Sequence, residues 1–337
     1  MPVGDYMAVT LKTLNLVSST TANYRNTSCS VIMKTRNPNV DIFLITLLTC
    51  VFIFGTIFNS LAVWVFGFKM KEWTVTRIFM MNLLASDCCL LFTLPFRIYN
   101  TQHPWPLGDS WCNALISVYF MNTYVSIAVI TLISLDRYVA IKFPMRARTL
   151  RSPKKAALAC GIIWLVYMAI RLYLHLNKRK TPKEPQICLR KEMKLPLDRT
   201  LYFTVFGSCL PMVILIFCST QIILTLKKKE KTSMNEEKEI NKSISIVKTN
   251  LAIFLFCFLP NSTGNIVRFV IESISSDCSL IKLINDVVLV TQGISDLNCC
   301  LDSICYYFVA KEFWEKASLF PRFKKQLIKD RTQESSL

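Results

Sequence analysis

The chain has 337 residues, 52% of them hydrophobic, with a mean hydropathy of +0.38; this excludes an ordinary soluble domain and suits a chain that crosses a membrane several times. Forty Lys and Arg against 22 Asp and Glu give a formal charge of +18, and because that charge flanks apolar runs it points to cytoplasmic loops, not to nucleic acid. Eight Gly, two His and fourteen Cys, most of the Cys inside apolar runs, argue against Gly-rich nucleotide loops, His-based metal centres and a dense disulfide scaffold; cysteines such as Cys50, Cys88, Cys160, Cys218 and Cys257 are expected to be reduced core residues.

Residues 1–40 form a polar leader without the compact apolar stretch of a signal peptide, so the first apolar run is expected to direct insertion. The leader carries the sequon Asn26-Thr27-Ser28, a glycosylation candidate at Asn26. Seven apolar stretches follow, at about 41–68, 74–100, 111–143, 153–175, 200–226, 243–273 and 280–308. Each reaches the roughly 20 residues that one helical crossing needs. Alternation at period two is absent and lipid forbids unpaired backbone, so the fold class is an all-α membrane protein, a bundle of seven helices over 41–308. Residues 309–320 place Phe313, Trp314, Ala317 and Phe320 on one face, as in a short amphipathic helix on the inner leaflet, and Pro321 ends it before a polar cytoplasmic tail, 321–337.

Seven crossings put the termini on opposite sides. Alternate loops hold Lys69, Lys71 and Arg77, then Lys142, Arg146, Arg148 and Arg151, then Lys227 to Lys229, which places the C-terminus in the cytoplasm and the leader outside. The loop 176–199 breaks the rule with Lys178, Arg179, Lys180, Arg190, Lys191 and others; it reads either as a solvated loop or as a basic collar that attracts an acidic ligand. Cys29, Cys112, Cys188 and Cys278 fall outside the membrane, and four cysteines allow three pairings. Cys112 opens the third span and Cys188 lies in the loop returning over it, so these two are paired here, which leaves Cys29 for Cys278.

Charges inside a membrane are costly and mark function. Asp87 in the second span and Asp302 in the seventh, with Ser126 and Asn298, either offer the oxygen ligands a sodium ion prefers or are protonated carboxyls that hydrogen-bond across helices. Arg97, Arg171 and Arg268 on three different spans suggest a pocket for a carboxylate or phosphate, with Tyr119, Phe120, Tyr124 and Tyr99 as aromatic walls. Pro95, Pro211 and Pro260 are expected to kink the second, fifth and sixth spans, and Phe254 and Phe258 lie a turn apart beneath Pro260.

Taken in order, Asn59, Asn82-Leu-Leu-Ala-Ser-Asp87, Trp105-Pro-Leu-Gly108, Cys112, Asp136-Arg137-Tyr138, Trp164, Pro211 and Cys257-Phe-Leu-Pro260 make the chain resemble the rhodopsin-like (class A) G-protein-coupled receptors over about residues 40–320. The run from Ser295 to Phe313 is similar to the branch of that family that answers to kynurenate and lysophosphatidylinositol. The resemblance implies a plasma-membrane receptor, not an enzyme, with no cofactor beyond an allosteric sodium ion. Its ligand would be a small acid, tryptophan-metabolite-like or a lysophospholipid; a nucleotide or a lysophosphatidylinositol-type lipid is the alternative within the family, and a transporter is the rival outside it. Its partners would be G proteins of the inhibitory and G-twelve/thirteen classes, then arrestin. In the implied switch Arg137 leaves Asp136 as the sixth span swings out, with Tyr138, Phe254, Phe258, Pro260 and Tyr306 taking part. Three positions depart from the pattern: Phe258 stands where the family has Trp, Asp302-Ser303 where it has Asn-Pro, and Thr123, a candidate ligand residue, where the branch has an arginine.

Overall fold

The computed structural model describes residue 35, residues 37–69, 73–177, 188, 198–228, 234–275 and 277–303. Among them are seven helices long and apolar enough to cross a membrane: Pro38–Phe68, Val75–Gln102, Gly108–Lys142, Pro153–Leu174, Thr200–Lys228, Ile240–Ile274 and Cys278–Ser303. These are the first to seventh spans below, and they match the apolar runs of the sequence. Asn26, Cys29, Tyr306, the amphipathic segment 309–320 and most of the basic loop lie outside the described residues.

The spans start where local chemistry starts a helix. Asn37 caps the first by accepting from the Asn39 amide, Thr74 caps the second through Arg77, and Asp277 caps the seventh through Ser279. Burial then ranks them. Of the central window of each span, 61% is buried in the second and 50% in the third, against 11% in the fourth. The second and third spans are therefore the axis of the bundle, and the fourth faces lipid. Leu83, Val125 and Phe66 fill its inner part, Leu48, Leu90 and Leu94 knit the first two spans, and Ile127, Met212, Phe254 and Phe258 join the third, fifth and sixth. Cys160, Cys218 and Cys257 are buried free thiols, as expected, but Cys50 and Cys88 are exposed on the outer face of the bundle, where lipid and not protein covers them.

Three irregularities matter for the site. Pro95 and Pro260 sit inside helices, but Pro211 does not kink a continuous α-helix: a π-turn, Val205–Cys209, precedes it and the α-helix restarts at Leu210. A proline ring clashes with the carbonyl four residues back, and the wider π-turn accommodates that. Gly207 within it lets the Tyr124 ring approach, since a Cβ there would lie 2.9 Å from two ring carbons. The seventh span breaks at Leu297, whose amide bonds the Ile294 carbonyl three residues back before the helix resumes. No proline causes this break.

A disulfide joins Cys112 to Cys188 with 5.6 Å between their Cα atoms, and the Asn100 side chain donates to the Cys188 carbonyl. The loop after the fourth span is thus fastened over the second and third. Cys278 is also disulfide-bonded.

Candidate functional site

Three polar layers run through the bundle. In the outer one, the second span carries Arg97 inward and the seventh carries Asp296 to meet it, at 2.5 Å between Nη1 and Oδ2, with both side chains under 10% exposed. The guanidinium also lies over the Tyr119 ring, 4.2 Å from its centroid. Sequence reasoning grouped Arg97 with Arg171 and Arg268 as an anion trap. In the structure Arg97 differs from the other two: Asp296 pairs with it, and the pair joins the second span to the seventh.

Arg171 and Arg268 are treated differently. Among the described residues Arg171 bonds only a neutral group, with Nε and Nη2 donating to Ser117 Oγ at 3.1 and 2.6 Å. Tyr167, one turn earlier, donates to the Ser117 carbonyl at 2.7 Å and fixes the register of the third and fourth spans. Arg268 donates to Asn265 Oδ1 at 2.8 Å and feels the charge of buried Glu272 one turn on. Both arginines lie within electrostatic range of Tyr124. Its ring stands 5.4 Å from Phe203 and 6.4 Å from Tyr167, centre to centre, and Phe120 continues the wall to Tyr119. Thr123, half-buried, precedes Tyr124 on the same helix. Tyr99 does not join the wall, being exposed and packed at a tilt against His103.

The middle layer gathers the candidate sodium ligands in two linked groups. Asn122, which sequence reasoning missed, donates to Asp87 Oδ1 at 3.2 Å and to Ser126 Oγ at 3.4 Å, and Ser86 shares a hydrogen bond with Ser126 at 2.8 Å. Asn298 donates to Asp302 Oδ2 at 2.7 Å. Cys299 lies between the groups, within electrostatic range of both carboxylates, and Asn59 reaches its carbonyl at 3.1 Å. All four proposed ligands are under 3% exposed. The donor set suits a small hard cation, since Asn298 Oδ1 is buried without a hydrogen-bond partner. It contains two carboxylates, and among the described residues no cluster of three or more His, Cys, Asp or Glu side chains is placed to hold a metal. Asn122 carried a signal in the sequence: it stands four residues before Ser126, on the same helical face.

At the inner end Asp136 is not paired with its neighbour Arg137. Arg151, two residues before the fourth span, grips it with two bonds of 2.8 Å. Adjacent residues on a helix point about 100° apart, whereas the short helix Pro144–Leu150 folds Arg151 back over Asp136. Tyr138 packs on Phe143 and Phe217, each about 5.9 Å away. The Phe254 and Phe258 rings pack at a tilt, 5.0 Å apart, beneath Pro260, and Ser208 and Ser262 share a 2.6 Å hydrogen bond between the fifth and sixth spans, close to both prolines.

A family model described as 7 transmembrane receptor (rhodopsin family) matches residues 58–306. The chain belongs to that family. It is a receptor and not an enzyme, and a multi-pass protein of the plasma membrane whose partners are a G protein and a small-molecule or lipid ligand. It is 35% identical to human G-protein coupled receptor 35 over 87% of this chain and 92% of that one. It is 32% identical to chicken lysophosphatidic acid receptor 6 over 80% and 92%, and 32% identical to mouse G-protein coupled receptor 55 over 78% and 84%.

Proposed function

We propose that the receptor, oriented with its N-terminus outside, binds a small organic acid in the outer half of the bundle and signals through G proteins of the inhibitory and G-twelve/thirteen classes, followed by arrestin. The observation that carries this is the convergence of Arg171 and Arg268 on the Tyr124 wall while Arg97 is neutralised elsewhere. Among the described residues Arg171 bonds only a serine hydroxyl, so its charge is available to an incoming anion; a guanidinium grips a carboxylate or phosphate in two-pronged fashion. Phe120, Tyr124 and Tyr167 supply an aromatic wall that suits an aromatic acid, and Tyr119 borders it.

A lysophospholipid is the second reading. The relatives named for lysophosphatidic acid favour it, as does an apolar groove of about 550 Å³ between the first two spans, lined by Phe52, Val63, Leu91, Phe92 and Phe96. A sodium ion held by Asp87, Ser126, Asn298 and Asp302 would neutralise the buried carboxylates and favour the resting bundle.

The test is a panel of tryptophan-derived acids, lysophospholipids and nucleotides, read by G-protein activation and arrestin recruitment in cells expressing the receptor. An aromatic acid that activates wild type and loses potency in Arg171→Ala supports the proposal. Activation by uncharged compounds alone, or acids indifferent to both arginines, overturns it.

A further inference from the structure

Most buried polar atoms in the outer half have partners, and one side chain stands apart. Among the described residues, Asn285 on the seventh span is the one whose donor and acceptor atoms are both buried and both without a hydrogen bond. The carboxamides of Asn59, Asn100 and Asn298 each leave only the oxygen unmet. Burying an unmet amide is costly, and native proteins rarely do so without a partner.

The position of Asn285 says what that partner is. Ile281, four residues before it, and Val288, three after, are both 1% exposed or less, so Asn285 belongs to the inward stripe of the seventh span. The register with the antiparallel sixth span is fixed at two points. Ser295 donates to the Cys257 carbonyl at 2.7 Å, and a Cβ on Gly264 would lie 3.3 Å from Val288 Cγ2. One turn outward from Gly264 is Arg268, and one turn outward from Val288 is Asn285. The orphan amide therefore sits at the level of Arg268, one of the two arginines assigned to the acid.

We infer that Asn285 recognises a second polar group of the ligand, an edge that presents one hydrogen-bond donor and one acceptor side by side, as a lactam or a nucleobase does. This rests on the acid-binding reading above. An Asn carboxamide pairs with such an edge through two parallel hydrogen bonds, its N–H donating to the ligand's carbonyl or ring nitrogen and its oxygen accepting the ligand's N–H. A simple carboxylate cannot meet it, because it has no proton to give the Asn285 oxygen. The ligand is thus an acid bearing an amide-type edge, with its anionic end on Arg171 and Arg268 and its edge on Asn285.

The test uses the purified full-length receptor and measures dissociation constants for four probes: an oxo-dihydroquinoline carboxylate, whose lactam N–H and C=O are adjacent; its N-methyl analogue; the quinoline carboxylate without the lactam; and adenosine monophosphate. In wild type, N-methylation is expected to weaken binding roughly tenfold or more, the effect of leaving buried polar groups unmet. In Asn285→Leu that ratio falls to about twofold or less, while the plain quinoline carboxylate binds as in wild type, which reports a folded acid site. Should Asn285→Leu fold poorly, Asn285→Ala replaces it, and the wild-type ratio decides in any case. Equal binding of lactam and N-methyl analogue, with adenosine monophosphate also indifferent to Asn285, overturns the inference. If adenosine monophosphate alone depends on Asn285, the edge stands and its source is a nucleobase. Binding of the plain acid with no lactam advantage overturns this inference but leaves the acid site intact; failure of every probe to bind wild type overturns both.

Discussion

Arg97 and Arg171 are two arginines on the inner faces of one helix bundle, and the fold treats them in opposite ways. Arg97 meets a carboxylate and the face of Tyr119, whereas Arg171 meets a serine hydroxyl and an aromatic wall. A cation in a low-dielectric site must be neutralised by something. Where the protein supplies the counter-charge, the cation serves the architecture. Where the described residues supply a neutral hydrogen bond, as Ser117 does for Arg171, the cation is the candidate contact for the acidic ligand proposed above. Arg268 is intermediate, since Glu272 offsets part of its charge.

That contrast orders the expected effects of substitution. The largest belongs to the clamp. Asp296→Asn leaves Arg97 buried and unpaired and should cost about 3–5 kcal/mol, seen as a fall in melting temperature and surface expression. Arg97→Leu combined with Asp296→Leu should recover most of that loss, and failure to do so would mean that the clamp acts through something other than its charge. Next comes Arg171→Ala, which should reduce acidic agonist potency by about tenfold to a hundredfold, as expected for a charged hydrogen bond of about 1.5–3 kcal/mol, with the melting temperature nearly unchanged. Arg268→Ala should do the same more weakly; an equal loss would erase the distinction drawn from Glu272.

Smaller effects probe the deeper layers. Agonist affinity should fall a few-fold when sodium replaces a large organic cation at fixed ionic strength, and Asp87→Asn should abolish that difference. A sodium response that survives in Asp87→Asn would remove the ion from this cluster. The smallest effect is expected at the inner end. Arg151 is 35% exposed, so its pair with Asp136 is worth no more than about 1 kcal/mol. Arg151→Ala would free Asp136 for Arg137 and should lower ligand-independent G-protein activation by less than about fivefold.

Much of this was legible in the sequence because lipid is a severe editor. Each span had to be apolar for some twenty residues and to satisfy its own backbone, so the seven runs found in the sequence reappear as seven helices. The Cys112–Cys188 bond was legible from position alone. The partners of the intramembrane charges were not. Asp296 and Arg97 are 199 residues apart, and nothing local indicates that they meet. The same holds for Asp136, where the family resemblance implied Arg137 and the structure places Arg151. Asn285 reads in sequence as one more polar residue in a moderately apolar helix.

The sequence by itself determined the number of spans, their order, the basic loops from which the orientation is inferred and the family, since these follow from local hydropathy and short motifs. Tertiary structure alone decided that Arg97 pairs with Asp296 and Asp136 with Arg151, that the fifth span yields to Pro211 by a π-turn, and that the seventh breaks at Leu297 without a proline. The physical reason is that a helix satisfies its backbone within a few residues, while an ionised side chain in a bundle finds its counter-charge on another helix, and that choice is made by packing.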